Sequence, residues 1–292
     1  MRNSLSRRKL AENLIHGVFL LLGLITVGCV ALITAYLVVS GIPAIREIGL
    51  FPFLFGDVWA STAATPLYGI LPFILTSVYG TAGAIVIGVP IGFMTAVYLA
   101  KAAPARVKAV VGGAVSLLAG IPSVVYGLVG MLVLVPAIRR AFHVPDGASL
   151  LAAIVVLSVM ILPSIIKVSM TALEAVPKEY EDASLALGAT PTETYFRVSV
   201  PAARSGIAAA VVLGVGRAIG EAMAVMMVSG NAPNMPELFQ SVRFLTTAVA
   251  SEMSYSAGLQ RQALFSIALV LFVFIMLITA ALNLFLKRGK EG

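Results

Sequence analysis

At 292 residues the chain is 60% hydrophobic and only 11% charged, whereas charged residues make up about a quarter of an ordinary soluble domain. It therefore belongs in a lipid bilayer. A net charge of +7 does not signal nucleic acid here, because the basic residues flank apolar runs in short groups and do not line one face with interleaved aromatics.

From the N-terminus, Arg7-Arg8-Lys9 precedes an apolar run over 14–39. The run is longer than the apolar core of a signal peptide and has no small-residue cleavage site, so it predicts a retained first span. Cys29, the single cysteine, has no partner for an internal disulfide and reads as a small core residue. His16 lacks acidic, Cys or His companions at ligand spacing, as does His143 further on, so neither predicts a metal site. The loop over 40–68 carries Pro43, Pro52, Pro66 and the sole tryptophan. Trp59, with Phe51, Phe53 and Phe55, reads as an anchor at the membrane boundary.

Five more runs are long enough to cross about 30 Å of hydrocarbon: 69–99, 107–135, 150–173, 206–229 and 263–286. Six transmembrane helices make this an all-α membrane protein. Pro72, Pro90 and Pro122 interrupt the second and third spans, and such breaks survive in a bilayer only beside protein or a water-lined cavity. Gly120-Ile-Pro-Ser-Val-Val-Tyr-Gly127 thus marks either a bend beside a pathway, with Ser123 and Tyr126 as polar handles, or a plain packing kink. Lys167, about two turns from the end of the fourth span, either snorkels or faces a pathway.

Residues 176–201 form the one sizeable polar segment with helix patterning. Leu173, Val176, Tyr180, Ala183 and Leu187 recur every three or four residues opposite an acidic face of Glu179 and Asp182. Gly188 suits a C-terminal cap, and Thr190, Pro191 and Glu193 predict a capping box that restarts the helix. Pro201 is expected to separate this second short helix from the fifth span. The acidic face argues against a surface-lying membrane helix, which is usually basic.

Small residues at Gly206, Ala210 and Gly214, and again at Gly216 and Gly220, predict close packing of the fifth span on neighbouring faces. Arg217 sits near its middle, with Glu221 one turn on. A charge at the bilayer centre costs at least about 2.5 kcal/mol. Either the two lock helices together as a buried pair, which brings little stability, or Arg217 offers a fork to an oxyanion while Glu221 holds it between passages. The second reading justifies the cost better. Thirteen basic residues lie on the side of the termini and the 176–201 loop, Arg7, Lys101 and Arg204 among them, against five on the other: Arg46, Arg139, Arg140, Arg243 and Arg261. That excess puts the loop and both termini in the cytosol.

Asp182-Ala183-Ser184, Gly188, Val198, Val200 and Pro201 resemble the cytoplasmic EAA loop of ABC-importer permeases, with Asp in place of the usual Glu and Ser in place of the second Ala. Tyr68-Gly-Ile-Leu-Pro-Phe-Ile74, Ile121-Pro-Ser-Val-Val-Tyr-Gly127, Gly216-Arg-Ala-Ile-Gly-Glu-Ala-Met-Ala-Val225 and Leu245-Thr-Thr-Ala-Val-Ala-Ser-Glu-Met253 narrow the likeness to the PstC-type permease of phosphate-import ABC systems. The resemblance runs from about residue 66 to the C-terminus. It implies a type I importer (MetI-like) fold: an N-terminal part, 1–65, and a permease domain, 66–292, carrying the coupling-helix loop. It also implies a bacterial inner-membrane location and import of inorganic phosphate. Further implied are a heterodimer with a PstA-type sister, two PstB-type ATPases that use ATP and Mg, and a PstS-type binding protein. Arg217 and Glu221 match the family's transport-associated pair, and Glu179, Asp182, Ala183, Gly188 and Pro201 its ATPase-coupling loop. The chain has no P-loop signature, so it binds no cofactor of its own by this reading and is not an enzyme. Other readings stay open: a molybdate or sulfate permease, the PstA-type sister, an ion-coupled secondary carrier, or a non-transporting sensor.

Overall fold

The computed structural model describes residues 2–288. Helix α1 runs from Arg2 to Ile48, beyond both ends of the expected span, and Gly49 stops it with a positive φ of 94°. A short helix, α2 (Leu50–Phe55), and a two-stranded hairpin, β1 (Trp59–Ala60) and β2 (Leu67–Tyr68), lead to α3 (Leu71–Val97). Helix α3 continues through a π-helical turn, Tyr98–Ala102. Next come α4 (Ala105–Gly120), α5 (Ser123–Val129), which runs through a second π-helical turn into α6 (Val135–Phe142), and α7 (Leu150–Glu174). The polar loop holds α8 (Lys178–Ala186), α9 (Pro191–Thr194), a third π-helical turn and α10 (Val200–Ala202). The chain ends with α11 (Arg204–Gly220), α12 (Met223–Val228), α13 (Leu245–Glu252) and α14 (Gly258–Arg288).

Among the described residues, five helices are long and apolar enough to span a membrane, or six when the pair Pro191–Ala202 and Arg204–Gly220, bent by 73°, counts as one. Helices α3, α7 and α11 form the centre. Glycines on α3 bring its backbone onto isoleucines of α7: a Cβ at Gly83, Gly88 or Gly92 would lie 2.7–2.9 Å from Ile154, Ile161 or Ile165. Gly206 and Gly214 likewise seat α11 against Ala172 and Ile165 of α7, and Ala210 is fully buried. Gly216 and Gly220 face open space instead, so close packing is confined to one of the two expected faces. Helix α1 stands apart over most of its length and docks only near its end, where Ser266 of α14 donates to the Gly41 carbonyl at 2.6 Å.

Two expected spans are broken. The run over 107–135 divides at Ile121-Pro122, where proline forces Ile121 into extended backbone (φ −72°, ψ 128°). The run over 206–229 divides at Glu221, also extended (φ −74°, ψ 127°), with no proline at all. By contrast Pro201 does not separate helices. The π turn Tyr195–Ser199 shifts the hydrogen-bond register, so the missing donor is absorbed, and the bend falls two residues later at Ala203.

The loop over 40–68 is also more ordered than a boundary anchor. Trp59 and Phe53 are buried, and Trp59 packs on Tyr68 and Phe73, while Phe51 and Phe55 remain exposed. The hairpin folds the first two inward because it gives the aromatics a protein surface to cover. The amide groups that start α7, which lack helical partners, are met from this side: Ser149 donates to Val228, Leu150 to Gln240 and Leu151 to Leu238.

Candidate functional site

The two broken spans meet. A Cβ at Gly127 on α5 would lie 2.8 Å from Ala224 Cα and 2.9 Å from Met227 Sδ on α12, so the helices that follow the two breaks pack directly on each other. Backbone groups freed at each break find side-chain partners, as they must away from water. Tyr126 donates its hydroxyl to the Leu118 carbonyl at 2.7 Å, closing the last turn of α4. Thr246 donates to the Glu221 carbonyl at 2.8 Å, closing the second break.

Arg217 and Glu221 sit on opposite sides of that second break. Arg217 lies in the last turn of α11, where the unpaired carbonyls of a helix end favour a cation. Glu221 lies outside the helix and accepts the Ala224 amide at 3.0 Å, capping α12. Among the described residues Arg217 makes no ion pair within 4.0 Å. The expected hold of Glu221 on Arg217 is therefore absent, because the break takes Glu221 out of the one-turn spacing that a continuous helix would impose. Arg217 is half-buried. Ser123 opens α5 beside the first break. Helix α5, with Ser123 and Tyr126, thus lies against α12, whose first turn Glu221 caps, and Arg217 is the cation among these four residues. Lys167, half-buried on α7, has no carboxylate partner within 4.0 Å either.

The polar loop forms a knob. Helix α8 ends in a Schellman turn: Ala189 donates to Ser184, Gly188 donates to Leu185, and Gly188 takes a φ of 89° that only glycine holds without strain. The capping box forms as expected, with the Glu193 amide donating to Thr190 Oγ1 and the Thr190 amide donating to Glu193 Oε2. These hydrogen bonds from Thr190 hold the Glu193 carboxyl below its ordinary range. The apolar stripe divides in two. Leu173 and Val176 are buried against the ends of α3 and α11, while Tyr180, Ala183 and Leu187, the last 91% exposed, face outward beside Glu179 and Asp182. Gly188 and Pro201 are exposed as well.

Sequence reasoning missed two groups. Glu181, the acid between Glu179 and Asp182, points inward and pairs with Lys101 Nζ at 2.5 Å. At the hairpin end Arg243 pairs with Glu252, donates to the Asn231 carbonyl at 2.9 Å and stacks over Phe73. Gln260 bridges Glu252 to Ser61 of the hairpin, beside a cavity of about 380 Å³ lined by Trp59 and Tyr255. The Lys101–Glu181 pair leaves no local signal because it joins distant parts of the chain, and Arg243 and Glu252, nine residues apart, are not at a spacing that places them on one face of a helix.

Residues 88–291 match the family described as binding-protein-dependent transport system inner membrane component. The chain is 41% identical over 264 residues to the probable ABC transporter permease protein YqgH of Bacillus subtilis (strain 168), covering 87% of this chain and 85% of that one. It is 32% identical over 264 residues to the phosphate transport system permease protein PstC of Pasteurella multocida (strain Pm70), covering 83% and 82%. Among solved structures, the inward-facing MetNI methionine ABC transporter matches with a TM-score of 0.60 at 20% identity, over 75% of this chain and 97% of that one. An amino acid ABC transporter matches at 0.54, also at 20% identity, over 75% and 92%. These structural likenesses carry the fold alone.

Proposed function

The chain belongs to the family of inner membrane components of binding-protein-dependent transport systems, and from that premise we propose that it is the PstC-type permease subunit of an ATP-driven phosphate importer. Several of its relatives, at 32–34% identity, carry the name phosphate transport system permease protein PstC. The observation that carries the reading in this chain is an unpaired guanidinium at a broken span, because an oxyanion leaving water needs fixed donors where the bilayer offers none. Arg217 supplies the charge and Ser123 a hydroxyl, Tyr126 holds the first break in shape through its bond to Leu118, and Glu221 shapes the break that keeps Arg217 free.

The knob is the docking surface for a cytosolic ATPase, through Tyr180, Ala183 and Leu187 with Glu179 and Asp182 at their edge. This chain would form half of the pathway with a PstA-type sister, receive phosphate from a PstS-type binding protein on the outer side, and be driven by two PstB-type ATPases. Those ATPases, not this chain, would hold ATP and Mg. Their approach on ATP binding would push the knob and open the pathway outward, and hydrolysis would return it.

The test is uptake by the reconstituted complex in liposomes. Removing the charged donor in Arg217→Gln is expected to cost about 1.5–3 kcal/mol of anion stabilisation, or roughly 10- to 150-fold in uptake. Arg217→Lys, which keeps the charge and loses the fork, should fall between. Excess sulfate or molybdate should leave wild-type phosphate uptake intact. Unchanged uptake in Arg217→Gln would overturn the pathway role, and equal competition by the other oxyanions would overturn the choice of cargo.

A further inference from the structure

Glu181 is the one carboxylate of the knob that faces the membrane domain. Its Oε1 is 2.5 Å from Lys101 Nζ and accepts the Ser199 hydroxyl at 2.7 Å. The Lys101 and Glu181 side chains are only 9% and 18% exposed, so the pair is largely withdrawn from the solvent that weakens surface salt bridges. Both donors come from π-helical turns. Lys101 lies in Tyr98–Ala102 at the end of α3, and Ser199 lies in Tyr195–Ser199 just before the 73° bend into α11. Such turns are rare, cost hydrogen-bond geometry, and recur at functional positions. Here each one delivers a side chain to the same carboxylate oxygen.

Around this link lies an apolar base in which Val176 of the knob meets Val97, Leu173 and Ala203, with Phe93 and Ile207 alongside. A second polar tie, Ser184 to Thr194 at 3.0 Å, fixes α8 to α9. Apolar contacts can slide, whereas a short, half-buried ion pair with a defined acceptor atom loses its hydrogen-bond geometry when it is stretched and so resists sliding. Helix α3 in turn carries the glycine seam against α7, so whatever moves the end of α3 moves the centre of the bundle.

We propose that Glu181 is the positioning residue through which movement of the knob is passed to α3 and α11, with Lys101 and Ser199 as its two anchors. This rests on the docking role assigned above and goes further, in naming the bond that carries the motion and the helices that receive it. Docking is left to the outward-facing residues. Loss of Glu181 therefore separates ATP hydrolysis from transport without releasing the ATPase.

The complete complex, with companion permease, ATPase and binding protein, would be reconstituted and phosphate uptake measured per ATP hydrolysed. Coupling between sites carried by such a link changes equilibria by factors of about 5–150, so Glu181→Gln and Lys101→Met should each lower uptake per ATP roughly tenfold while the ATPase still co-purifies. The exchange Lys101→Glu with Glu181→Lys should recover most of the ratio, and neither single reversal should. Ser199→Ala removes one anchor and leaves the ion pair, so it should give an intermediate loss even where the stronger variants fail to assemble. Wild-type ratios in Glu181→Gln and Lys101→Met, or in Ser199→Ala where those do not assemble, would overturn the proposal, as would failure of the charge exchange to recover. Loss of the ATPase from the variant complexes would also overturn it, by making Glu181 a docking residue. Were wild-type vesicles to take up no phosphate, the cargo assignment would fall. The same variants would then be read by stimulation of ATP hydrolysis by the binding protein, in which loss of stimulation is expected.

Discussion

The second break is held by single hydrogen bonds whose value can be isolated. Thr246 is buried and its hydroxyl satisfies the Glu221 carbonyl. Replacing it with the similarly shaped valine leaves a buried carbonyl without a partner, which costs about 1–3 kcal/mol. Thr76 is a natural control, being fully buried with a hydroxyl that has no partner, so its replacement by valine discards nothing. Thermal unfolding of the purified complex in detergent should show Thr246→Val melting about 2 °C or more below wild type and Thr76→Val no lower than wild type. Equal melting of the two variants would show that the break does not depend on this bond. The same logic explains why Arg217 is tolerated where it lies: the end of α11 supplies the negative partial charge, and no carboxylate has to be spent on it.

Between elements, the sequence reads well where the determinants are local and poorly where they are not. The Schellman turn at Gly188 and the Thr190–Glu193 capping box follow from residue types a few positions apart, and both form. Pro122 announces the first break. Glu221 does not announce the second, since hydropathy runs on through Gly216–Met227, where only Gly216 and Gly220 weaken the helix, and contact with Thr246 and α5 holds the interruption. Acidic residues at 179 and 182 stand out on a helical wheel, yet the one with a structural partner is Glu181, whose cation comes from another helix. Glu181 also sets a pH dependence. Burial raises its pKa, but the hydrogen bonds from Lys101 and Ser199 and the nearby Lys101 and Lys178 charges outweigh this and hold it below its ordinary 4.5. A depressed carboxylate stabilises the folded state above its unfolded pKa and stops doing so as pH falls through the folded value. The difference in melting temperature between wild type and Glu181→Gln should thus be constant from about pH 8 to 6 and shrink below about pH 4.5. A gap that closes between pH 8 and 6 would contradict the assignment.

On the scale of the molecule, two polar clusters sort the chain into opposite ends without reference to any charge count. The Lys101–Glu181 bond puts the end of α3 at the knob. Because α3 begins at the β1–β2 hairpin and is long enough to cross the hydrocarbon, the hairpin lies at the other end. Gln260 and Glu252 then bring the start of α14 to the hairpin side through Ser61. The excess of basic residues near the knob predicts that this end faces the cytosol, because positively charged loops are retained inside. Cys29 is the single cysteine, so a Cys29→Ser background gives a clean test. Thr62→Cys, on the exposed hairpin turn, should react with a membrane-impermeant maleimide in intact spheroplasts, and Leu187→Cys at the knob tip only after the membrane is opened. The reverse pattern would turn the knob away from any cytosolic ATPase. It would leave α3 with nothing to transmit, since the bond at Glu181 has mechanical use only if the force arrives from that side.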